Sequence, residues 1–330
     1  MHPDVSAWLS QRSYDAQQFD AVSLAAAKAG RAVSVVLPAR NEQDTVGAIV
    51  AAIAGTLRDE IGLVDEILVV DSNSTDATVE VARAAGARVV AQGDVLPQLG
   101  DVPGKGEALW KSLAATSGDV LVFVDADLRN FDPVFVVGLL GPVLAHGVHF
   151  SKGCYDRPLT NGATVLPAGG GRVTELVARP LLNAHWPCLA GFVQPLAGEY
   201  AATRECLESV PFVSGYGVEI GLLVDLLDRY GLDALAQVDL GVREHRNSPD
   251  DQLARMAMQI QLTAHERLAR QGRIVATEQP SHEMTQFVRG TAGYVARTSD
   301  VGFGERPRML DVPAYLERPR PRPEPMSRSR

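Results

Sequence analysis

Short, largely apolar runs alternate along the first half of the chain with stretches whose apolar residues recur every three or four positions. Ala32 to Leu37, Glu66 to Val70, Arg88 to Ala91 and Val120 to Val124 read as strands. Thr45 to about Leu57, Thr75 to Ala85 and Gly104 to Thr116 read as helices, the second stopped by Gly86 as a C-terminal cap. Strands that are apolar on both faces and alternate with helices predict an α/β fold, with a mostly parallel sheet covered by helices on both sides. Residues 1–30 are polar and alanine-rich, and read as a helical arm ahead of this core.

The second half is less regular. Gly169 to Gly171 form a glycine-rich turn before a helix-like run from Val173 to Leu182. Gly217 to Tyr230 is a helix pattern closed by Gly231, and Gln237 to Val242 is a strand that delivers Arg243 to Asn247. Ser248-Pro249-Asp250-Asp251 starts a further helix, with a cap, a first-turn proline and two acids at the positive end of the helix dipole. Leu253, Met256, Ile260 and Leu268 mark its apolar stripe. Residues 317–330 are rich in Pro, Arg and Ser and read as a disordered tail.

Composition narrows the partners. The 330 residues are 46% hydrophobic, enough for a large core, and the net charge of -9 repels phosphate backbones, so no nucleic acid is expected. An anionic small substrate then needs a local basic patch. Three cysteines without metal-finger spacing argue against a disulfide framework or a zinc site and suit a reducing cytoplasm. Met1 to Ser10 lacks the basic and apolar regions of a signal peptide. The longest apolar run, Val134 to Ala145, is interrupted by Gly138, Gly141 and Pro142 and is too short to span a bilayer, so no membrane partner is expected.

In open parallel sheets ligands bind beyond the carboxyl ends of the strands, and three polar clusters fall there. Asp125-Ala126-Asp127 follows the fourth strand. An isolated Asp-x-Asp is most simply a solvated turn, but two carboxylates at the top of a central strand suit a hard cation such as Mg²⁺ or Mn²⁺ bridging a diphosphate. Pro38-Ala39-Arg40-Asn41-Glu42 follows the first strand; Glu42 can accept from ribose hydroxyls, or the segment is simply a turn with Asn41 or Asp44 near a cap. Asp71 and Ser72 follow the second strand, where a base edge can be read, while Ser74 or Thr75 caps the next helix. Lys105, between Gly104 and Gly106 at a helix start, suits a nucleotide or its phosphates. Neither a P-loop nor a Gly-x-Gly-x-x-Gly after the first strand is present, which counts against P-loop NTPases and dinucleotide dehydrogenases.

Later in the chain, the Gly171 backbone, Arg172 and the Thr174 hydroxyl can clasp a small phosphate or carboxylate, unless the turn is only a flexible connector. His245 is a candidate metal ligand or a structural histidine, and Arg243 can offset charge on a departing diphosphate. Tyr216 and Glu219 lie at a helix start, where Glu219 binds sugar hydroxyls or merely favours the helix dipole.

Taken together, these segments resemble the retaining GT-A-type glycosyltransferases, and closely the actinobacterial glucosyl-3-phosphoglycerate synthase family. The stretches VVLPARNE, DSNSTDAT, PGKGEALWKSLAATSGD, VDADL, GGGRVTELVARPLL, QPLAGEYAA, GYGVEIGLL and GVREHRN carry the resemblance, in order, from about residue 33 to 247. It implies a Rossmann-like nucleotide-sugar-binding domain over 31–150 and an acceptor-binding portion with C-terminal helices over 151–316. It implies transfer from UDP-glucose to the 2-hydroxyl of 3-phosphoglycerate with Mg²⁺ or Mn²⁺, an early step toward methylglucose lipopolysaccharide or glucosylglycerate, in a homodimer. On the donor side it implies Pro38, Ala39, Arg40, Glu42, Ser72, Lys105, Asp125, Ala126, Leu196 and Glu219. On the acceptor side it implies Gly171, Arg172, Val173, Thr174, Tyr216 and Asn247. Asp127 and His245 would be the metal ligands, and Asp127, Arg243, Glu219 and His245 the catalytic set. The family often has Leu at the position of Arg40 and Asp-Ser-Asp at that of Asp125-Ala126-Asp127; neither change removes a charged ligand, although any contact from a serine hydroxyl at position 126 is lost.

The nearest rival is a mannosyltransferase using GDP-mannose and the same acceptor. A polyprenyl-phosphate glycosyltransferase would want an apolar membrane-facing surface. A sugar-nucleotide pyrophosphorylase would carry a glycine-rich loop where this chain has PARNE, and a non-catalytic binding module has no need for acids, histidine and anion clasp together.

Overall fold

Successive side chains of a strand face opposite ways, so the buried strands near the N-terminus feed two separate cores. Val33, Val35 and Leu37 pack on one face of the sheet and Val36 on the other. The computed structural model describes residues 3–156, 159–161, 164–166, 171–243 and 249–317. In chain order, α1 (Pro3–Arg12), β1 (Ser13–Asp15) and α2 (Ala21–Ala27) precede the regular alternation of β2 (Val33–Ala39), α3 (Val46–Ala52), β3 (Glu66–Asp71), α4 (Thr78–Ala84), β4 (Arg88–Ala91), α5 (Lys105–Ala115) and β5 (Val120–Phe123). Then come α6 (Val134–Ala145), β6 (Phe150–Asp156), β7 (Leu159–Asn161), β8 (Thr164–Leu166), α7 (Arg179–His185), β9 (Tyr200–Thr203), α8 (Arg204–Glu208), β10 (Phe212–Val213), α9 (Val218–Tyr230) and β11 (Leu235–Val242). The chain continues with α10 (Asp250–Arg270), β12 (Glu283–Gly290), β13 (Gly293–Asp300), β14 (Glu305–Arg306) and α11 (Pro313–Leu316).

Eight strands form the main sheet in the order β1-β11-β6-β9-β5-β2-β3-β4. All neighbours are parallel except β9, which runs antiparallel to both β5 and β6. This is the α/β architecture expected from the alternation, and the sheet takes strands from both sides of residue 150. Because β9 runs the other way, its first residue, Tyr200, lies opposite Phe123 of β5 and Lys152 of β6. The residues just before β9 therefore share the edge at which β2, β3 and β5 end.

Several elements differ from the sequence pattern for identifiable reasons. The arm is not helical throughout: Ser13–Asp15 pairs in parallel with Gln237–Asp239 and closes one edge of the sheet. α3 runs on through π-helical turns at Ile53–Glu60. The helix expected over Val173–Leu182 is split, with π-helical turns at Thr174–Ala178 before α7; Pro180 has no N–H to continue an α-helical ladder there. The apolar run Val134–Ala145 is a core helix, buried along nearly all its length. Its Gly141 admits the Phe19 ring, since a Cβ there would sit 2.4 Å from that ring. No helix among the described residues is long and apolar enough to cross a membrane. The antiparallel ribbon of β12 and β13 has no counterpart in the sequence reading.

Candidate active site

The turns after β2 and β3 are fastened to each other. Asn41 adopts a left-handed conformation (φ 59°) and its side-chain oxygen accepts from Thr75 N at 2.8 Å, while its own N–H donates to Ser74 Oγ at 2.9 Å. Ser74 and Thr75 are thus spent on joining two turns, and α4 starts only at Thr78, capped by neither. Ala39 O accepts from Ser72 N at 2.9 Å, and Ser72 Oγ donates to Gln92 Oε1 at 2.8 Å. Glu42 N donates to Thr78 Oγ1 at 2.8 Å. Pro38 and Ala39, the last residues of β2, therefore lie beside Arg40, Glu42 and Ser72 on the two adjoining turns, with the Arg40 side chain exposed.

Beside these turns is a cluster of charge. Lys105, the first residue of α5, binds Asp125 Oδ1 and lies 3.3 Å from Glu219 Oε1. Arg243 follows β11 directly; its Nη2 donates to Asp125 Oδ2 at 2.8 Å and to Asp127 Oδ1 at 3.1 Å. Ala126 is buried between the two acids, and its carbonyl accepts from Thr45 Oγ1 at 2.6 Å, which fixes the turn that presents both. Gly198 passes so close that a Cβ would lie 2.4 Å from Asp125 Oδ1. Burial alone would push the Asp125 carboxyl up, but Lys105 and Arg243 outweigh it and hold that carboxyl well below the usual range. Lys105 and Arg243 are raised in return, their acidic neighbours overcoming burial.

Three members of this cluster carry no role in the sequence reading. Glu199, fully buried just before β9, accepts from Tyr155 OH at 2.8 Å, and burial pushes its carboxyl up despite Arg243 nearby. Tyr155 OH in turn accepts from Arg243 Nη1 at 2.7 Å. Lys152, also buried, donates to Ala197 O at 2.7 Å, and its Nζ lies 5.1 Å from the centre of the Tyr200 ring. The available signal was a charged residue inside an otherwise strand-like run, as in FSKGCY and LAGEYAA.

The residues that the resemblance implies for the acceptor gather near the start of α10. Arg172 pairs with Asp250, and Tyr216 OH accepts from Gln252 Nε2 at 3.2 Å. Val173 and Thr174 are buried just behind, and Gly171 is left-handed at φ 80°. Leu196 is half-buried against the core. Gly171 lies near Gln194, whose side chain donates to Tyr155 O at 3.4 Å, so neighbouring residues run continuously from the glycine turn to the charge cluster. His245 and Asn247 lie outside the described residues, as do residues 318–330. Among the described residues no three His, Cys, Asp or Glu converge as a closed metal cage. Asp127, partly exposed beside the less exposed Asp125, offers the oxygen chemistry of a hard cation that takes one or two carboxylates and completes its shell with phosphate and water.

Comparison with known proteins agrees with this geometry. The model of the glycosyl transferase family 2 matches residues 34–162. Glucosyl-3-phosphoglycerate synthase of Mycolicibacterium smegmatis is 52% identical over 306 residues, 92% of this chain and 98% of that protein. Mannosyl-3-phosphoglycerate synthase of Rubrobacter xylanophilus superimposes with a TM-score of 0.85 at 42% identity, covering 92% of this chain and 97% of that one. Glucosyl-3-phosphoglycerate synthase of Mycobacterium tuberculosis, in complex with Mn²⁺, UDP-glucose and phosphoglyceric acid, superimposes with a TM-score of 0.78 at 49% identity, covering 88% and 95%. Fold and site thus define a glycosyltransferase of the GT-A type. Within that class, the chain belongs to the glucosyl-3-phosphoglycerate synthase family.

The buried lysine gives the site a pH signature. Burial pushes the Lys152 ammonium down to about 8, with Glu219 opposing. Between there and the ordinary lysine value near 10.4, the unfolded chain holds a proton on this side chain that the folded one does not, so the contribution of Lys152 alone to stability rises with pH by roughly 3 kcal/mol across that window. A Lys152→Met variant should lack this rise. Thermal unfolding of both proteins from pH 7.5 to 10 checks it; parallel curves would show that Lys152 titrates as an ordinary lysine.

Proposed function

We infer that this chain transfers glucose from UDP-glucose to the 2-hydroxyl of 3-phosphoglycerate, giving glucosyl-3-phosphoglycerate and UDP. The observation that carries this reading is the convergence of Lys105, Asp125, Asp127, Arg243 and Glu219 at the carboxyl edge of the sheet, joined to the Gly171–Thr174 turn. The identity with the M. smegmatis synthase over nearly its whole length adds the substrates.

On this reading residues 31–150 supply the donor side and 151–316 the acceptor side. Pro38, Ala39, Arg40, Glu42 and Ser72 receive the uridine, Lys105 and Asp125 with Ala126 hold the nucleotide beyond it, and Leu196 and Glu219 line the sugar. Asp127 and His245 would hold Mg²⁺ or Mn²⁺, which when bound offsets charge on the diphosphate. Arg243 adds a fixed positive charge where the leaving diphosphate gains negative charge. Gly171, Arg172, Val173, Thr174, Tyr216 and Asn247 hold the acceptor so that its 2-hydroxyl faces the anomeric carbon. The bond from that carbon to the phosphate oxygen breaks, the bond to the acceptor oxygen forms on the same face, and the hydroxyl proton passes to the departing phosphate oxygen. The likeness to the R. xylanophilus enzyme supports a second reading, mannose from GDP-mannose onto the same acceptor. We also place the protein in the cytoplasm, where its three free cysteines would stay reduced, and read it as a homodimer. The ribbon of β12 and β13 exposes Phe287, Tyr294 and Val295, and a two-stranded ribbon on its own is only marginally stable.

Offered a panel of UDP- and GDP-sugars with 3-phosphoglycerate and Mg²⁺, the enzyme should give glucosyl-3-phosphoglycerate from UDP-glucose, read by product mass. A mannosyl product alone would transfer the assignment to the second reading. Arg172 pairs with Asp250 at a largely exposed site, where such a pair contributes little and can exchange for substrate. Arg172→Ala should raise the KM for 3-phosphoglycerate about 10- to 100-fold, the loss of one charged hydrogen-bonded contact, with a far smaller change for UDP-glucose. Equal effects on both substrates would remove Arg172 from the acceptor subsite. Light scattering should return twice the chain mass, and Phe287→Ser should shift that mass toward the monomer; a wild-type monomer would refute the dimer.

A further inference from the structure

The charge cluster is graded from the interior to the cleft. The Glu199 side chain is 0% exposed, Arg243 4%, Asp125 17% and Asp127 34%. Among the described residues, Arg243 alone pairs with both ends of this series. Toward the cleft its Nη2 meets Asp125 and Asp127; toward the interior its Nη1 donates to Tyr155 OH at 2.7 Å. Tyr155 OH donates onward to Glu199 Oε2 at 2.8 Å, and Glu199 Oε1 lies 3.4 Å from Nη2. Glu199 Oε1 accepts no hydrogen bond among the described residues. A carboxylate taken wholly out of water is costly unless a cation compensates it, and here the geometry gives most of that compensation to Arg243. Among the acids around Arg243, Glu199 acts on it most strongly.

No substrate can reach Glu199, so it is not a catalytic residue. We propose that Glu199, with Tyr155, is a positioning residue for the transfer reaction: the pair holds the Arg243 guanidinium from behind, so that Nη2 stays aimed at the diphosphate. The proposal rests on the transferase reading. It also explains why Arg243 needs an interior anchor. When donor and cation engage Asp125 and Asp127, the two acids at the cleft are drawn into new interactions. An arginine held only by them would lose its orientation at the moment when negative charge develops on the leaving group. An anchor beyond the reach of substrate keeps the guanidinium in place through the whole reaction, which is the preorganisation that makes such a charge effective. Glu199 lies where the antiparallel β9 begins, at the same edge as the ends of β6 and β11, and so faces both Tyr155 and Arg243.

The test is a double-mutant cycle in the full-length protein. Glu199→Gln keeps the shape and the acceptor for Tyr155 while removing the charge. It should lower kcat with UDP-glucose about 10- to 100-fold, the usual range for a residue that orients a catalytic group, while the KM for 3-phosphoglycerate changes less than about twofold. UDP, whose terminal phosphate resembles the leaving group in charge, should bind more weakly by calorimetry with Mg²⁺ present. If Glu199 acts through Arg243, then Glu199→Gln combined with Arg243→Lys binds UDP no more weakly than Arg243→Lys alone. Multiplicative losses in that cycle would overturn the proposal. Should Glu199→Gln fail to fold, Tyr155→Phe, which cuts the same link and keeps the ring, must show the same non-additivity with Arg243→Lys or the proposal falls. Because the cycle is read on UDP binding, it stands apart from the sugar assignment: a wild type that makes no glucosyl product, yet shows the non-additive cycle, would sink the glucose reading and leave the anchor supported.

Discussion

Four carboxylates and three cations share a small, largely dry volume at the carboxyl edge of the sheet, and the mutual neutralisation of these charges constrains much of the surrounding structure. Asp125, Asp127, Glu199 and Glu219 face Lys105, Lys152 and Arg243, from six different parts of the chain. Each charge taken out of water costs several kcal/mol unless a partner stands within a few ångströms, so the elements that carry them cannot shift independently. The antiparallel β9 is what makes the arrangement possible. Running against its neighbours, it brings Gly198 and Glu199 to the edge where β2, β3, β5, β6 and β11 end, between the acids that follow β5 and the arginine that follows β11.

The C-terminal residues, which carry no motif, contribute by bracing this cluster. Arg306 on β14 binds Glu107 through two hydrogen bonds of 2.6 Å, and Trp110 Nε1 donates to Pro307 O at 2.8 Å, both on α5. Gly106 N donates to Ser214 O at 2.9 Å, and Ser214 N donates to Gly304 O at 2.8 Å. Lys105 is therefore held from two sides, by the turn before α9 and by the segment around β14. A buried arginine, Arg267, does a similar service further out, pairing with Asp225 of α9 and Glu305 of β14. These clamps fix helices and strands relative to one another; a site whose geometry must hold within fractions of an ångström needs them as much as it needs its ligands.

What could be read from the sequence follows from which signals are local. β2, β3, β4 and β5 were legible because each is a short apolar run bounded by turn residues, and Asp125, Asp127, Lys105 and Arg243 stood out because they follow such runs or open a helix. β6 and β9 were not, since Lys152 interrupts the first and Glu199 directly precedes the second, and a charge in or beside a strand is normally read as solvent-facing. Their burial depends on partners 44 to 88 positions away, as with Tyr155 and Glu199, Lys152 and Ala197, or Arg243 and Tyr155. The turn after β3 misled for the same reason: Ser74 and Thr75 have the chemistry of helix caps, but a nearby turn, that of Asn41, competed for them and won.

The pairing within the cluster also bears on how a glycosidic bond could form with the anomeric configuration kept. A covalent glycosyl-enzyme intermediate needs a carboxylate free to attack the sugar carbon. Here Asp125 is held by both Lys105 and Arg243, Glu219 lies against Lys105, Asp127 against Arg243, and Glu199 is out of reach behind them. Releasing one of these oxygens as a nucleophile would strip a buried cation of its partner just when a negative diphosphate is leaving. On the proposed reading the same cations, left where they are, would stabilise that departure directly. The arrangement therefore favours a reaction driven by leaving-group charge, with the acceptor entering on the face the diphosphate vacates. It also places the chemical demand on the placement of Arg243, more than on the basicity of any acid in the cleft.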